Sequence, residues 1–366
     1  MRQKTKNLII CLVISGISLL VVFGWFLIAQ APEGQILKKV VSFKMPGEKG
    51  VNSHLAAVPE NQKIEFIFGG DVMLSRQVNA KIMTHQDYSW PFLKIADFLN
   101  KADFTVVNLE SPFVVSSSYE VPTGSFLFKA NPESVAGLSR AGVDLVSLAN
   151  NHILNQGAQG LADSFKILAE QGIKYVGAGQ NLAEAHRGEV VIIKGQKFGF
   201  LAYAYPDDAS VAGDNKAGIA NLDLEKMRND VSKLKDQGIF VIVMMHAGTE
   251  YTTKPNQQQI IFARAAIDAG AEAVIGHHPH WPQTFEFYQD KPIIYSLGNL
   301  VFDQMWSKET AQGLIARMSW QSGWQGIELI PVKIKDYGQV EIITNDVEKK
   351  VILEKIGAPA DGVIQR

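Results

Sequence analysis

Six apolar runs in this sequence each end in polar residues that can bind a metal ion or an anion. Five of the eight histidines fall in these endings, although a histidine usually occupies a scattered surface or core position. Ligands of α/β sheets bind beyond the carboxyl ends of the strands, so we expect the endings to meet in one crevice. The six endings are Gly69-Gly70-Asp71, Asn108-Leu109-Glu110, Asn150-Asn151-His152, His246, Gly276-His277-His278-Pro279-His280 and Gly298-Asn299.

The donor types in these endings favour a divalent metal site. Carboxylate, asparagine and neutral histidine donors suit Mn, Fe or Zn better than Ca or Mg. Two such ions about 3.5–4 Å apart would lower the pKa of a bound water molecule and hold the oxygens of an ester. A nearby imidazole would then protonate the leaving group. The sequence therefore predicts a site for one or two ions of Mn, Fe or Zn.

Each ending also has a simpler explanation when it is considered alone. Asp71 after two glycines is typical of a turn, and the segment 150–152 could be an asparagine-rich turn that bonds its own backbone. His246 could be an ordinary histidine at a strand end. The cluster 277–280 holds three histidines around one proline and is hardest to explain without a ligand. Their joint occurrence favours the metal centre.

The elements that would position these residues alternate between helix and strand from Lys63 onward. Helical patterns ending at Gly142, Gly172, Gly238 and Gly270 are each followed by an apolar run, which predicts strands at 143–149, 173–176, 239–245 and 271–275. Such alternation is typical of an α/β domain with buried central strands. The segments 313–320, 327–335 and 340–344 predict consecutive antiparallel strands, so we expect residues 306–366 to close the domain as a β-rich extension.

The N-terminal residues differ in composition from this domain. Three cations precede an uncharged run at 8–29, which would form about 33 Å of helix and could cross a bilayer with the N-terminus in the cytoplasm. A cleaved signal peptide is the alternative, because Ala29-Gln30-Ala31 resembles a cleavage site. We therefore expect an anchor at 1–31, a stem at 32–62, and the remaining chain outside the cell on a single-pass membrane protein.

Charge and cysteine content exclude several classes of protein. The net charge is −2, and residues 32–366 hold 32 basic and 37 acidic residues, a net of −5. A nucleic-acid binder needs a basic surface, so nucleic acid is not an expected partner. The single cysteine, Cys11, lies in the apolar run, which excludes a disulfide scaffold.

The ordered set of motifs resembles the CapA family of poly-γ-glutamate capsule biosynthesis proteins, which is similar to the calcineurin-like metallophosphoesterases. The motifs are GGDVML (69–74), NLES (108–111), LANNH (148–152), HAGTEY (246–251), GHHPH (276–280) and YSLGNLVFDQ (295–304). The resemblance implies a four-layer α/β/β/α sandwich over residues 63–305 and a membrane-anchored extracellular location. It also implies a part in making or exporting an anionic γ-glutamyl polymer, with the polymer or its synthase subunits as partners.

The resemblance further implies roles for individual residues. His152 would be the general acid, and His277, Asn108 and Asn150 would be either ligands or supports of the ligands. The implied ligands are Asp71, Glu110, Asn151, His246, His278 and His280. Glu250, Tyr251, Asn299 and Asp303 could face the substrate, although each could equally be an ordinary loop residue.

Three positions depart from the metallophosphoesterase pattern. Met73 stands where a histidine ligand is usual, Glu110 replaces the bridging aspartate, and Ile153 replaces the acidic residue that orients the general acid. A thioether is a poor ligand for a hard divalent ion, so one ion is expected to bind firmly and a second loosely.

Three classes of function follow from these observations. The first is an accessory protein of capsule synthesis or export that binds polymer or synthase. The second is a metal-dependent surface hydrolase of a phosphoester or an amide. The third is a binding module whose site has decayed, which Met73 and Ile153 favour and the intact histidine set disfavours.

Overall fold

A computed structural model describes residues 62–115, 126–205 and 210–365. The described residues form a mixed α/β fold with a nine-stranded, a six-stranded and a two-stranded sheet. Their helices are α1 (Arg76–His85), α2 (Ala96–Leu99), α3 (Val135–Arg140), α4 (Gly157–Glu170), α5 (Leu182–His186), α6 (Leu224–Lys235), α7 (Gln257–Ala269) and α8 (Asp346–Lys355), with 3-10 turns at Trp90–Phe92 and Pro132–Ser134.

The nine-stranded sheet has the order β16-β15-β14-β1-β2-β3-β4, with β13 paired to β1 and β17 paired to β15. Strand β1 is parallel to β2 and β13 and antiparallel to β14. The strands of this sheet are β1 (Ile64–Val72), β2 (Phe104–Leu109), β3 (Leu145–Ser147), β4 (Lys174–Val176), β13 (Asn299–Val301), β14 (Gln312–Trp320), β15 (Trp324–Lys335), β16 (Gln339–Ile342) and β17 (Val363–Gln365).

The six-stranded sheet has the order β11-β12-β10-β9-β7-β6, and its four central strands are parallel. Its strands are β6 (Glu189–Ile193), β7 (Gln196–Ala204), β9 (Phe240–His246), β10 (Ala273–His277), β11 (Phe285–Tyr288) and β12 (Lys291–Ile294), while β5 (Ala178–Gly179) and β8 (Gly218–Ile219) pair separately.

Aromatic side chains from the two large sheets share one core. The ring of Phe66 in β1 lies 4.9 Å from that of Phe198 in β7, and Phe198 lies 5.5 Å from Trp320 in β14. Burial of these large rings is a main favourable term in folding. A second core packs Val231 of α6 and Phe262 of α7 with residues of the six-stranded sheet. The two cores fix the positions of the strand ends that carry the candidate ligands.

The predicted elements of the α/β part lie within a few residues of the observed ones. The helix predicted to end at Gly270 begins after Asn256, whose side chain forms a capping box with Gln259, and Gly270 adopts a left-handed conformation with φ of 111°. Strand β3 is shorter than the predicted 143–149, because the chain turns after Leu148 and the Asn150 N–H donates to the Leu148 carbonyl. The predicted antiparallel strands β14, β15 and β16 are confirmed by their pairing.

The predicted anchor at 8–29 and almost all of the predicted stem lie outside the described residues. Among the residues that the structure does describe, no helix combines the length and apolarity needed to cross a bilayer. The anchor, the stem and the domain boundaries therefore stay predictions.

Candidate metal centre

The carboxyl ends of strands from both large sheets meet at the candidate site. Asp71 at the end of β1 is in register with Asn108 of β2 and with Asn299 of β13. In the other sheet His246 at the end of β9 is in register with His277 of β10. Parallel pairing puts each set of ends at one sheet edge, so the polar endings converge as the sequence predicts.

Two glycines allow the backbone to approach closely at this edge. A side chain on Gly70 would place its Cβ 2.0 Å from the Gly298 carbonyl oxygen, and one on Gly276 would lie 1.9 Å from that of Tyr295. No side chain fits at such a separation, so both positions require glycine. The Asp71 N–H donates to the Gly298 carbonyl at 2.9 Å, which fixes the start of the site.

Three buried side chains bring potential ligand atoms together. One atom each from Asp71, Glu110 and His246 lie within 4.8 Å of one another. Glu110 is fully buried and neither of its carboxylate oxygens has a hydrogen-bond partner. A buried carboxylate without a partner is costly, and a cation compensates for it. These residues therefore fit a divalent metal ion.

The imidazole of His280 faces the same carboxylates. Its Nδ1 lies 2.9 Å from Oδ1 of Asn299 and 3.5 Å from Oδ2 of Asp71, whereas its Nε2 lies 3.9 Å from Oε1 of Glu110. Since an amide oxygen only accepts, Nδ1 carries a proton and Nε2 is directed at Glu110. Asn299 is itself buried and donates to Gln304 and to the Thr310 carbonyl.

His246 is held between two asparagine side chains. Its Nε2 lies 2.9 Å from Oδ1 of Asn151 and its Nδ1 lies 3.3 Å from Nδ2 of Asn108. The Asn108 amide also donates to Asp71 at 2.8 Å, and it accepts from Asn150 at 3.2 Å. Asn108 and Asn150 therefore support the ligand side chains by hydrogen bonds between β1, β2 and the loop after β3.

His152 also points at the centre. Its Nε2 lies 3.8 Å from Oε1 of Glu110, and its Nδ1 lies 3.0 Å from Oδ1 of Asn155. Asn155 thus occupies the orienting role that the sequence leaves open at Ile153. The signal for it is its position three residues after His152, since the two share one turn in which the Asn155 N–H donates to the His152 carbonyl at 2.9 Å. The ring of Phe128, 4.2 Å away, covers the imidazole.

The histidine-rich loop after β10 distributes its imidazoles in different directions. His277 directs Nε2 to the Gly69 carbonyl at 3.1 Å, so that it contacts backbone of β1. His278 donates its backbone N–H to Asp71, its ring lies 4.9 Å from that of His246, and its Nδ1 is buried without a partner. Both His278 (φ 96°) and His280 (φ 58°) are left-handed, a costly conformation for histidine that clusters at functional sites.

Met73 offers no ligand in the place of the missing histidine. The residue is fully buried, and its sulfur accepts the Ser75 N–H at 3.1 Å.

Burial and neighbouring charges together set the pKa values of Glu110, His280 and Asp71. Burial, with the nearby Asp71 charge, raises the pKa of Glu110 well above its ordinary value. Burial acts against imidazolium at His280, but Glu110 and Asp71 outweigh it and raise the pKa of His280 to about 9. Burial likewise opposes ionisation of Asp71, whose pKa is nevertheless lowered by its contacts with His280 and His277.

The other four imidazoles of the site are held in the neutral form. Burial lowers the pKa of His152 and of His278 to about 4. Burial also lowers the pKa of His277, and the pKa of His246 falls well below its usual range. A metal ligand must be neutral imidazole, so these four are prepared for ligation or for accepting a proton.

The four residues expected to face the substrate separate into two kinds. Glu250 is exposed and Tyr251 is partly buried at the rim, where its N–H donates to the Pro279 carbonyl. Asn299 is buried behind His280, and the Asp303 carboxylate pairs with Arg76 and accepts the Gln77 N–H. The Arg76 guanidinium also lies 4.9 Å from the centre of the Phe128 ring.

Comparison with known proteins finds a family and several relatives that this chain resembles. The sequence model of the family described as bacterial capsule synthesis protein PGA_cap matches residues 65–304. The capsule biosynthesis protein CapA of Bacillus anthracis is 30% identical over 307 residues, covering 81% of this chain and 74% of that protein. The PGA biosynthesis protein CapA of Bacillus subtilis (strain 168) is 30% identical over 295 residues, covering 79% and 76%. A probable polyglutamine synthesis accessory protein of Mycobacterium tuberculosis is 31% identical over 250 residues, covering 64% and 65%.

Proposed function

This chain belongs to the CapA family of bacterial capsule synthesis proteins, and we propose that it serves the synthesis or export of an anionic poly-γ-glutamate-type polymer through a metal-dependent site. The observation that carries the proposal is the buried carboxylate of Glu110. Neither of its oxygens has a hydrogen-bond partner, although Asp71 and His246 from the two large sheets lie close to it. A structural role alone does not account for such a carboxylate.

The ligands would come from three buried residues and their neighbours. Asp71, Glu110 and His246 form the central set, and Asn151 and His280 lie within reach of it. His278, with its unpartnered Nδ1, adds a further nitrogen. When bound, Mn, Fe or Zn would supply Lewis-acid polarisation of an ester or amide oxygen.

Residues of the protein itself would also act at that centre. His152 holds a proton on Nδ1 through Asn155, and its neutral imidazole presents Nε2 as an acceptor 3.8 Å from Glu110. In this state Nε2 can take a proton from an attacking group and return it to a leaving group, which is how His152 would act as general acid. The Phe128 ring, with its centre 4.2 Å from that of the imidazole, packs against it.

A metal-dependent hydrolase of a phosphoester or an amide is the second candidate function. The neutral His152 with an oriented Nε2 favours it, because a purely binding site has no use for a poised proton acceptor. Turnover of bis(p-nitrophenyl) phosphate by the metal-loaded full chain, abolished in His152→Ala, would support hydrolysis. Metal-loaded protein without turnover of phosphodiesters or γ-glutamyl amides would leave the non-catalytic accessory role.

We extend the proposal to location, partners and layer arrangement. A helix at 8–29 would hold the domain outside the cell on a single-pass anchor, beside synthase subunits that the names of the relatives suggest. The two large sheets with their covering helices would form the α/β/β/α sandwich of metallophosphoesterase type. Protease shaving of intact cells, with a cytoplasmic protein as control, tests the location, and resistance of residues 62–366 would contradict it.

The central experiment combines metal analysis with a polymer assay. We expect the purified full chain to bind Mn, Fe or Zn, and His246→Ala to reduce the bound metal strongly. A producing strain carrying His246→Ala should lose surface polymer, whereas exposed His85→Ala should not. Absence of bound metal from the native chain, or normal polymer in the His246→Ala strain, would overturn the proposal.

A further inference from the structure

A cavity of about 520 Å³ lies between the loop that follows β3 and the segment that precedes β8. Residues within 151–158 form one wall, residues within 210–217 form the other, and Leu127 adds an apolar side chain. Cavities of about 300–1,000 Å³ commonly hold small organic ligands. This cavity is therefore large enough for a short stretch of a polymer chain.

Two asparagines join the cavity to the metal centre, because each lines the cavity and also contacts a histidine of the centre. Oδ1 of Asn151 lies 2.9 Å from Nε2 of His246, and Oδ1 of Asn155 lies 3.0 Å from Nδ1 of His152. A ligand in the cavity would therefore lie next to a candidate metal ligand and to the candidate general acid.

The same two asparagines keep hydrogen-bond donors for a ligand. Their Oδ1 atoms are engaged, since Oδ1 of Asn155 also accepts the Phe128 N–H at 2.8 Å. Within the part of the chain that the structure describes, the Nδ2 groups of Asn151 and Asn155 have no hydrogen-bond partner. A side-chain amide nitrogen carries two N–H donors, so both groups can donate to oxygens of a molecule in the cavity.

The charge of the lining favours an anionic ligand. Of the described residues that line the cavity, Lys216 is the only charged one, and none is acidic. A tight turn presents this lysine, because Gly213 and Lys216 exchange backbone hydrogen bonds of 3.0 and 3.2 Å. Residues 32–366 carry a net charge of −5, so the attraction of an anion has to come from local groups of this kind.

The lining as a whole matches a polyamide chain that carries carboxylates. The ammonium group of Lys216 suits a carboxylate, and the Nδ2 groups of Asn151 and Asn155 suit the oxygens of carboxylates or amides. The side chains of Leu127 and Leu154 offer apolar surface to the methylene groups between the amide bonds.

We propose that this cavity binds a stretch of the γ-glutamyl chain beside the bond that is presented to the metal centre. The proposal rests on the proposed function, because it takes the polymer from there. Lys216 would pair with one carboxylate of the chain, and Asn151 and Asn155 would donate to its oxygens. The cavity would thus set which part of the chain reaches the centre.

Binding of hexa-γ-glutamate to the metal-free full chain, measured by calorimetry, tests the cavity. Without a metal ion, the carboxylates of the oligomer cannot bind by coordination. Ala158 is exposed in the first turn of α4 and lines the cavity, so the indole of Ala158→Trp would fill it. We expect this variant to bind the oligomer about tenfold or more weakly. Ala169→Trp, at an exposed position near the other end of α4, is the control and should bind as the wild type does.

A second pair of variants tests the charge. Lys216→Gln should weaken binding of the oligomer about two- to fivefold, the range for one solvent-exposed ion pair. It should leave binding of the oligomer unchanged when the α-carboxylates of the oligomer are methyl esters. Lys233→Gln, an exposed lysine on α6, should change neither affinity.

The outcomes separate this site from the proposed function. Wild-type affinity in Ala158→Trp, or an equal loss in Ala169→Trp, overturns the cavity as the chain site and leaves the proposed function standing. Wild-type affinity in Lys216→Gln overturns the pairing with a carboxylate, and this variant decides the matter if Ala158→Trp fails to fold. If the wild type does not bind the oligomer at all, the polymer role and the cavity site fail together.

Discussion

The His152 imidazole is largely buried, and the side chain that holds it is an asparagine, which carries no charge. Oδ1 of Asn155 accepts from the backbone N–H of Phe128 at 2.8 Å and lies 3.0 Å from Nδ1 of His152. The hydrogen bond to this neutral acceptor raises the pKa of His152, but burial outweighs it and lowers the pKa to about 4. The amide at this position thus keeps Nε2 an acceptor at physiological pH.

Replacing this amide by a carboxylate should reverse the effect. In Asn155→Asp the ring keeps its acceptor, but the new negative charge favours imidazolium and should raise the pKa of His152 towards its ordinary value. Titration of the imidazole by NMR of the metal-free full chain measures this shift. Asn155→Ser, which lacks the charge, is the control and should leave the pKa low. An equally low pKa in the aspartate variant would contradict the electrostatic account.

The pair of Glu110 and His280 holds a proton that a metal ion must displace. Glu110 and Asp71 outweigh burial and raise the pKa of His280 to about 9, so at pH 7 the imidazole keeps this proton in the metal-free protein. Metal competes with that proton, and the competition weakens as the pH rises towards 9. The apparent affinity for Zn should therefore increase by up to about tenfold per pH unit between pH 7 and 9, with proton uptake by the buffer.

Calorimetry of Zn binding in two buffers of different ionisation enthalpy measures the released proton. Glu110→Gln removes the charge that raises the pKa of His280, so the pH dependence should flatten in this variant while the affinity falls. An affinity that is constant from pH 7 to 9 in the wild type would show that the pair carries no proton.

At the scale of elements, the spacing of β1 and β13 depends on a missing side chain. The Cβ of Gly70→Ala would lie 2.0 Å from the Gly298 carbonyl oxygen and would force the strands apart at Asp71. We expect a loss of about 2–3 kcal/mol or more in the free energy of unfolding and a weaker metal site, because overpacking is relieved only by backbone movement. Denaturant unfolding and metal titration measure the two effects.

A matched control for this substitution lies in the same sheet. In Gly326→Ala on β15 the nearest atom to the new Cβ would be the Ile364 carbonyl oxygen at 3.8 Å, an ordinary contact. This variant should keep its stability within about 1 kcal/mol and bind metal normally. Equal destabilisation of the two variants would indicate a general effect of alanine on the sheet.

The same elements show what the sequence could predict. Helix ends at Gly172, Gly238 and Gly270 and the apolar runs after them located strands to within a few residues, since caps and hydrophobic runs are local signals. The hairpin of β6 and β7 was not predicted, although Gln196–Ala204 is central to the six-stranded sheet. The helix before β6, α5, has only five residues, and β7 follows β6 directly without a helix between them.

In the site, too, the features set by nearby sequence could be predicted, and those set by residues far apart in sequence could not. Convergence of the polar endings followed from parallel strands, so Asp71, Glu110 and His246 were placed together correctly. The hydrogen bond from His152 to Asn155 and the pairing of Arg76 with Asp303 depend on side-chain directions or on residues far apart in sequence. The backbone conformation of the loop 276–280 could not be predicted from the sequence either, because a histidine gives no indication of a left-handed φ.

At the scale of the whole molecule, the buried imidazoles couple the stability of the fold to pH. Burial lowers the pKa of His152 and His278 from 6.5 to about 4, and it also lowers the pKa of His246 and His277. Between pH 6.5 and 4 the unfolded chain therefore binds more protons than the folded one, so the free energy of unfolding falls as the pH falls. His280 acts oppositely: its contribution is complete below pH 6.5 and is lost progressively as the pH rises from 6.5 to about 9.

The metal-free full chain should accordingly lose stability between pH 6.5 and 5, by on the order of 2–4 kcal/mol from His152 and His278 together. Denaturant unfolding at the two pH values measures the loss. Because carboxylates also respond to acid, the decisive comparison is between variants: His152→Gln should reduce the loss by about 1–2 kcal/mol, and exposed His85→Gln should leave it unchanged. Zn should stabilise the wild type at neutral pH. This stabilisation should shrink as the pH falls, because protons displace Zn from the same imidazoles. An identical acid response in wild type and His152→Gln would mean that the imidazole is not held neutral by the fold.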